Sequence, residues 1–254
     1  MQNPSLDLRL IGCKTVVGRW WQNEHTHIQR LYYIVKGSGS YFDPDGTAHP
    51  FTAGNLYLFP YNFVSDFYSN PDDPFEHLYL DFFSNPPLIA EQPIILTVEP
   101  GSPLACLIEY TVTFLKKQDI DLRARSHITS HLERSTERQI LYECLRMMLL
   151  QISMETELPF AEDAVVKEAL AYIHENFREP LTVDELAARV GFSTEHFIRR
   201  FKTVMQTTPG AYLQKYRLLV ASQMIKEGKT VKEAALYCGY DYSSSLCRAL
   251  GKLQ

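Results

Sequence analysis

Thr182-Val-Asp-Glu-Leu-Ala-Ala-Arg-Val-Gly-Phe192 and, 48 residues further on, Thr230-Val-Lys-Glu-Ala-Ala-Leu-Tyr-Cys-Gly-Tyr240 are two copies of one pattern, with Thr, Val, Glu, Ala and Gly at equivalent places. Such a recurrence marks an internal repeat. Thr182 with Glu185 three residues on fits a capping box, in which two side chains satisfy backbone N–H groups that a helix start leaves open. Leu186 and Val190 give the short helix Val183–Val190 an apolar side, and Gly191 then permits the left-handed backbone of a tight helix-to-helix turn. Ser193 is a good N-cap for a new helix running to about Met205. In it Phe197 and Phe201 face inward, while Thr194, Glu195, Ile198, Arg199 and Lys202 face outward. Two helices joined by a Gly-containing turn, the second carrying basic residues, are how a helix-turn-helix sets a recognition helix into the major groove. One copy alone also fits an ordinary helical hairpin, so the repetition favours the helix-turn-helix. Between the copies the sequence predicts a helix from about Pro209 to Glu227, roughly 28 Å long at 1.5 Å per residue. A turn of B-DNA is about 34 Å, so one chain could place both recognition helices in successive major grooves.

Charge separates the same half from the rest. The chain of 254 residues carries a net charge of −5, which taken whole argues against a nucleic-acid partner. From Ala164 onward, however, 13 Lys and Arg stand against 9 Asp and Glu, while the preceding part has 12 against 21. A basic C-terminal half joined to an acidic N-terminal half suggests that one part meets DNA. With 45% apolar and 22% charged residues the composition is that of a globular protein with room for two domains. No apolar run approaches the roughly 18 residues that cross a bilayer. Met1–Ile11, with Asp7 and Arg9, lacks a signal pattern, so the expected location is the cytoplasm, with no membrane partner. Cys13, Cys106, Cys144, Cys238 and Cys247 are scattered without a CxxC pair, so neither a disulfide framework nor a zinc finger is indicated.

Outward from the repeat, three further regions are predicted. Residues 1–100 read as β structure: short apolar runs such as Leu31–Val35 and Asn55–Phe59 are broken by turn residues, and Asp45-Gly46 between Tyr41-Phe42 and His49–Phe51 is a hairpin signal. Strands at this spacing suggest a sandwich or a small barrel. Residues 101–156 are helical in period, with helices over about 103–117 and 126–154. In the second, Ile140, Leu141, Cys144, Leu145, Met148, Leu149 and Ile152 form an apolar stripe that must be covered, either by the chain's own barrel or by a second chain. Residues 157–163, with Pro159, read as a linker before the helical domain 164–254, whose first helix is Val165–Phe177.

Leu181-Thr-Val-Asp-Glu-Leu-Ala, Val190-Gly-Phe-Ser, Phe197-Ile-Arg-Arg-Phe-Lys, Thr208-Pro-Gly-Ala-Tyr-Leu and Ala234–Gly239 closely resemble the AraC family of transcription regulators. The resemblance covers Leu181 to about Lys252 and implies seven helices in two units joined by a long linker helix. It implies base-reading groups at Glu195, Ile198 and Arg199 and at Ser243, Ser244 and Arg248. Arg199 and Arg248 could donate bidentate bonds to guanine and Ile198 could touch a thymine methyl. Glu195 could accept from cytosine or act only on the N-terminal turn of its helix. One departure stands out: family members continue past the second recognition helix into a further packing helix, whereas this sequence ends at Gln254. Aromatic positions there are Leu246 and Leu250, and a Lys position is Gly251.

His25-Thr-His27, Lys36-Gly-Ser-Gly and Ala53-Gly-Asn-Leu-Tyr-Leu-Phe-Pro60 resemble the cupin-type sensor barrel of the sugar-responsive branch of that family. The expected fold is therefore α+β: a cupin-like β-barrel, a helical dimerisation segment and an all-α double helix-turn-helix. Metal-dependent cupins add a Glu after the HxH pair and a later His; here Gln29-Arg-Leu-Tyr-Tyr33 has no acid, and the late position is Ser65. Two imidazoles leave a divalent site short of ligands, so no metal or other cofactor is expected, and His25 and His27 read as pocket lining or surface hydrogen-bonding groups. His127 and His131 also stand four apart, but without the Glu that a zincin helix requires. Aligned to the sensor barrel, Lys36, Phe67, His77 and Tyr79 line the cavity, and alternation turns only one of Trp20 and Trp21 inward. The aromatic residues could equally be core. The sequence fits a homodimeric regulator with a double-stranded DNA operator, a small effector such as a carbohydrate, and RNA polymerase as a further partner; alternatively a cupin-type enzyme; or a regulator whose barrel only dimerises.

Overall fold

The computed structural model describes residues 4–26, 28–43, 45–117, 136–226 and 228–251. Among these, nine strands precede eight helices. The chain divides into two compact units, one of Leu6–Ser84 and Ala90–Pro159, the other of Met1–Ser5, Asn85–Ile89 and Phe160–Gln254.

The first unit is built on two sheets. β1 (Ser5–Thr15), β8 (Glu76–Asn85), β3 (Gln29–Lys36), β6 (Asn55–Phe59) and β9 (Ile94–Thr97) lie in that order in one, and β2 (Gly18–Thr26), β7 (Phe63–Ser69), β4 (Gly39–Phe42) and β5 (Ala48–Phe51) in the other. Alternation along each strand turns Tyr32, Ile34, Tyr57 and Phe59 from the first sheet and Tyr41, Phe51 and Phe67 from the second into one buried cluster. Rings meet across it: Tyr32 and Phe67 at 5.8 Å, Phe59 and Phe67 at 5.3 Å, Phe51 and Tyr57 at 5.0 Å. The expected cupin-like β-barrel is thus corrected in one respect. The described strands make two separate sheets packed as a sandwich, with aromatic side chains of both meeting in one cluster, and no closed barrel is found among them. The predicted hairpin is present: Phe42 pairs with Ala48, and Gly46, at φ +87°, donates its N–H to the Asp43 carbonyl at 2.8 Å.

The other face of the larger sheet is apolar too. Leu31 pairs across with Leu80 and Tyr33 with Leu78. Two helices, α1 (Pro103–Lys117) and α2 (Thr136–Glu155), belong to the same unit. Lys116 of α1 bonds Glu76 of β8 at 2.5 Å, and Arg138 of α2 donates to the Leu8 carbonyl at 3.0 Å. The expected stripe is largely covered within the chain: Leu141, Cys144, Leu145, Met148, Leu149 and Ile152 are all buried. What α2 leaves exposed is a different row, Met147, Leu150 and Met154. His127 and His131 lie outside the described residues.

The second unit contains α3 (Ala164–Asn176), α4 (Val183–Arg189), α5 (Thr194–Met205), α6 (Pro209–Lys226), α7 (Val231–Tyr237) and α8 (Ser243–Leu250). Asp163 starts α3 by accepting from the N–H groups of Val165 and Val166, both at 3.0 Å. Full capping boxes start α4 at Thr182 and Glu185 and α7 at Thr230 and Glu233. Ser193 occupies the N-cap position of α5 but makes no side-chain cap bond. Gly191 and Gly239, at φ +75° and +73°, supply the left-handed turn of each repeat. Phe197 and Phe201 pack inward at 5.7 Å, and Phe201 meets Tyr212 of α6 edge-on at 5.8 Å. Asn85–Ile89, the continuation of β8, belongs to this unit: the Asn85 amide donates to the Lys167 carbonyl at 3.0 Å, and Ala161 N–H donates to the Pro87 carbonyl at 2.9 Å.

Candidate functional site

Burying Phe197 and Phe201 decides which way α5 presents its polar side. Glu195, Arg199 and Lys202 are exposed, and Ile198 is half-buried beside them; successive steps of 100° bring these four onto one helix face. The two neighbouring arginines part company. Arg199 projects into solvent, whereas Arg200 bonds Asp163 at 2.8 Å and lies over the Phe192 ring at 5.5 Å. Thr194 is half-buried, and its hydroxyl donates to the Asp184 carboxylate at 2.6 Å, tying the start of α5 to α4. In the second repeat Ser244 and Arg248 are exposed and Ser243 is half-buried at the start of α8. Leu246, at a position where the family resemblance implies an aromatic, is fully buried.

A protein that neutralises DNA phosphates releases counterions, with a slope of about −0.9 per phosphate in log K against log salt. Three such contacts predict roughly 40-fold weaker DNA binding at 200 mM than at 50 mM salt. Titration of a labelled duplex at the two ionic strengths measures this, and equal affinities would remove the electrostatic part of the assignment.

The expected sensor residues are scattered more widely than the alignment implies. His77 is fully buried, with its ring 4.8 Å from Tyr32, 5.0 Å from Phe75 and 5.6 Å from Tyr79. Tyr79 is half-buried on the same face of β8, with the Lys14 ammonium 5.2 Å above its ring. Phe67 is core, wedged among Tyr32, Phe51 and Phe59. Lys36 is elsewhere: a register shift separates it from Ile34 before it pairs with Glu76 on β8, and its side chain is 71% exposed and bonds Glu76 at 3.6 Å. Trp20, Trp21 and His25 lie on β2, where Trp21 is registered opposite Phe67 and His25 opposite Val64; His27 is outside the described residues.

Two charged residues on this inner face were not anticipated. Arg30 and Asp81, cross-strand partners on β3 and β8, form an ion pair at 3.3 Å with both side chains only 5% exposed. Their signal in the sequence is phase: Arg30, Tyr32 and Ile34, like His77, Tyr79 and Asp81, alternate in step and so share one face. Charges taken out of water cost several kcal/mol each unless paired, so such a pair inside an aromatic sandwich is poor evidence for stability. Burial, then the charge of Asp81, raises the Tyr79 phenol well above its ordinary value. Glu76, near the exposed end of β8, is pushed up by burial, but the bond and charge of Lys116 and the Cys13 hydrogen bond outweigh this and hold it low. Among the described residues no group of three or more His, Cys, Asp or Glu is placed to hold a metal ion.

Burial, with the charges of Lys14 and Arg30, pulls the His77 imidazole from 6.5 to about 3 against a hydrogen bond with the Lys14 backbone. The unfolded chain therefore takes up a proton near pH 6.5 that the sandwich refuses until about pH 3. Stability from this group is present above pH 6.5 and is lost as pH falls, by up to about 1.4 kcal/mol per unit. Both tryptophans of the chain lie on β2, so tryptophan fluorescence during denaturation reports this unit. His77→Leu is expected to flatten the fall between pH 6.5 and 4; an unchanged slope would place the titrating group elsewhere.

Two helix-turn-helix repeats in one compact helical unit, each turning a polar recognition helix outward, define a DNA-binding protein. Residues 166–253 match a family described as "Helix-turn-helix domain". The chain is 30% identical over 77 residues to the regulatory protein SoxS of Escherichia coli, covering 30% of this chain and 72% of SoxS. It is 31% identical over 115 residues to the HTH-type transcriptional regulator AlkR of Acinetobacter baylyi, covering 43% of this chain but only 37% of AlkR's length. A longer match, 23% identical over 229 residues, covers 86% of this chain and 79% of RafR, the raffinose operon transcriptional regulatory protein of Pediococcus pentosaceus. The structure of ToxT from Vibrio cholerae shares the fold, with a TM-score of 0.61 and 10% identity over 96% of this chain and 95% of that chain. The chain belongs to the AraC family of transcription regulators. No helix among the described residues is long and apolar enough to cross a membrane.

Proposed function

We propose that this regulator is switched by a small polar effector, a carbohydrate or related metabolite, bound in its cupin-like sandwich. The observation that carries the reading is the inner face of β3 and β8. There the polar groups of Arg30, Asp81, His77 and Tyr79 lie among the aromatic rings of Tyr32 and Phe75. Sugars are held by this combination of aromatic faces and directed polar groups, and the long match to a raffinose-operon regulator supports the same class. Arg199, with Glu195, Ile198, Lys202 and Thr194, reads one stretch of a double-stranded operator; Ser243, Ser244 and Arg248 read the next. Regulation of transcription from the cytoplasm, with RNA polymerase as a further partner, completes the reading, and no catalytic step belongs to it. The route from effector to DNA is the backbone of β8. It carries His77 and Tyr79 and runs on into Asn85–Ile89, which is hydrogen-bonded within the DNA-binding unit. An effector shifts the balance of two arrangements only by binding one of them better. Met147, Leu150 and Met154 of α2 are the apolar row through which two chains would pair as a homodimer.

The test is denaturation of the full chain, read by tryptophan fluorescence, against a panel of mono- and oligosaccharides. A sugar at about 100 times its dissociation constant should stabilise the sandwich by about 2.7 kcal/mol. Asp81→Asn should abolish the shift. Stabilisation by a fatty acid and by no sugar would overturn the polar assignment, and a monomer on gel filtration would overturn the pairing.

A further inference from the structure

We propose that Arg217 is a positioning residue for DNA recognition: it locks the two helix-turn-helix repeats at one separation and thereby sets the spacing of the two base blocks that the protein accepts. Arg217 lies on α6, the helix that joins the repeats. Its Nε donates to the Phe177 carbonyl and its Nη2 to the Glu179 carbonyl, both at 2.6 Å. Phe177 is the C-cap of α3, where carbonyls leave the helix without a partner inside it and the helix dipole favours a cation. A planar guanidinium that bridges two carbonyls fixes orientation as well as distance.

The bridged turn also abuts the second repeat. A Cβ on Gly239 would meet the Arg178 carbonyl at 2.5 Å and Arg217 Nη2 at 3.2 Å, so the turn between α7 and α8 is seated directly on this bracket. The Arg178 guanidinium lies 4.1 Å over the Tyr237 ring of α7 and hydrogen-bonds its hydroxyl. α3 also fastens the first repeat, from its C-terminal half and from its N-cap. Arg189 of α4 lies 4.2 Å over the Tyr172 ring, and Asp163 holds Arg200 of α5. One path from recognition helix α5 to recognition helix α8 therefore runs along α3 through the turn Phe177–Glu179, beside the direct packing of α6 on α5, α7 and α8. Gly191 makes the equivalent turn of the first repeat, yet a Cβ there meets nothing within 4 Å. The bracket is thus a property of the junction and not of each repeat.

The full chain, incubated with randomised duplexes about 40 base pairs long, four helical turns, should enrich two base blocks about 10 base pairs apart. Arg217→Gln cannot span both carbonyls, and Arg217→Lys keeps the charge on a single nitrogen. Both variants should enrich the same first block, with the separation spread over several base pairs or the second block absent. On a fixed duplex, the ratio of affinities for an intact and a scrambled second block should fall about tenfold in Arg217→Gln, the equivalent of one base-pair contact. Arg217→Lys alone decides the matter if Arg217→Gln does not fold. Wild-type spacing in the variants, with affinity lowered equally for both blocks, would mean that Arg217 only supports the fold and would overturn the proposal. Enrichment of a single block by the unaltered protein would overturn it as well.

Discussion

Phe197→Ala is expected to cost about 3–5 kcal/mol, the usual range for emptying a fully buried aromatic site. Phe197 has no exposed surface and is the first inward residue of α5, with Phe201 at 5.7 Å and Tyr212 next beyond it. Domains of this size have total stabilities of about 5–15 kcal/mol, so a loss of this size leaves the first repeat partly unfolded at ambient temperature. Phe201 would be left as the buried ring holding the recognition helix to α6, and specific DNA binding should fall sharply. Denaturation followed by far-ultraviolet circular dichroism measures the loss. Tryptophan fluorescence from β2 supplies a control that should not move. A variant within about 1 kcal/mol of the parent would mean that α5 is held by contacts other than its core ring.

Arg199→Ala should behave in the opposite way. Two positions along the same helix, Arg199 is exposed, so its removal should change stability by no more than about 0.5 kcal/mol. Affinity for a specific duplex should fall by about 1–3 kcal/mol, with preference relaxed at one base pair. The neighbouring Arg200→Ala provides the contrast, because it breaks the bond to Asp163 and should weaken the start of α3 and α5 without altering which base is preferred. Binding to specific and random duplexes measured side by side distinguishes the two. An equal loss on both duplexes for Arg199→Ala would reduce it to a phosphate contact.

The helical half was legible almost throughout because its signals are local. A capping box spans four residues, a turn glycine marks its own position, and an apolar face repeats every three or four residues. Helix ends at Arg189, Met205 and Lys226 accordingly fall within a residue of where caps and period place them. The strand half was legible as strands and hairpins but not as an assembly. Alternation tells which residues share a face of one strand; it does not tell whether the sheet closes on itself or faces another sheet.

What the sequence by itself determined, then, is the repeat, its caps, its turns and the outward set on α5, since each depends on neighbours within one or two helical turns. What only the tertiary structure decided depends on partners far away along the chain. Arg199 and Arg200 look alike in sequence, and the Asp163 carboxylate, 37 positions off, makes one a surface group and the other a fastening. Arg30 becomes a buried ion because Asp81, 51 positions on, pairs with it across β3 and β8. The α2 stripe that could have faced a second chain is covered by its own unit, and Asn85–Ile89 leaves the sandwich to bond with α3. In each case the identity of the partner, not the residue's own preference, sets its role, and chain folding rather than sequence spacing brings that partner within hydrogen-bonding distance.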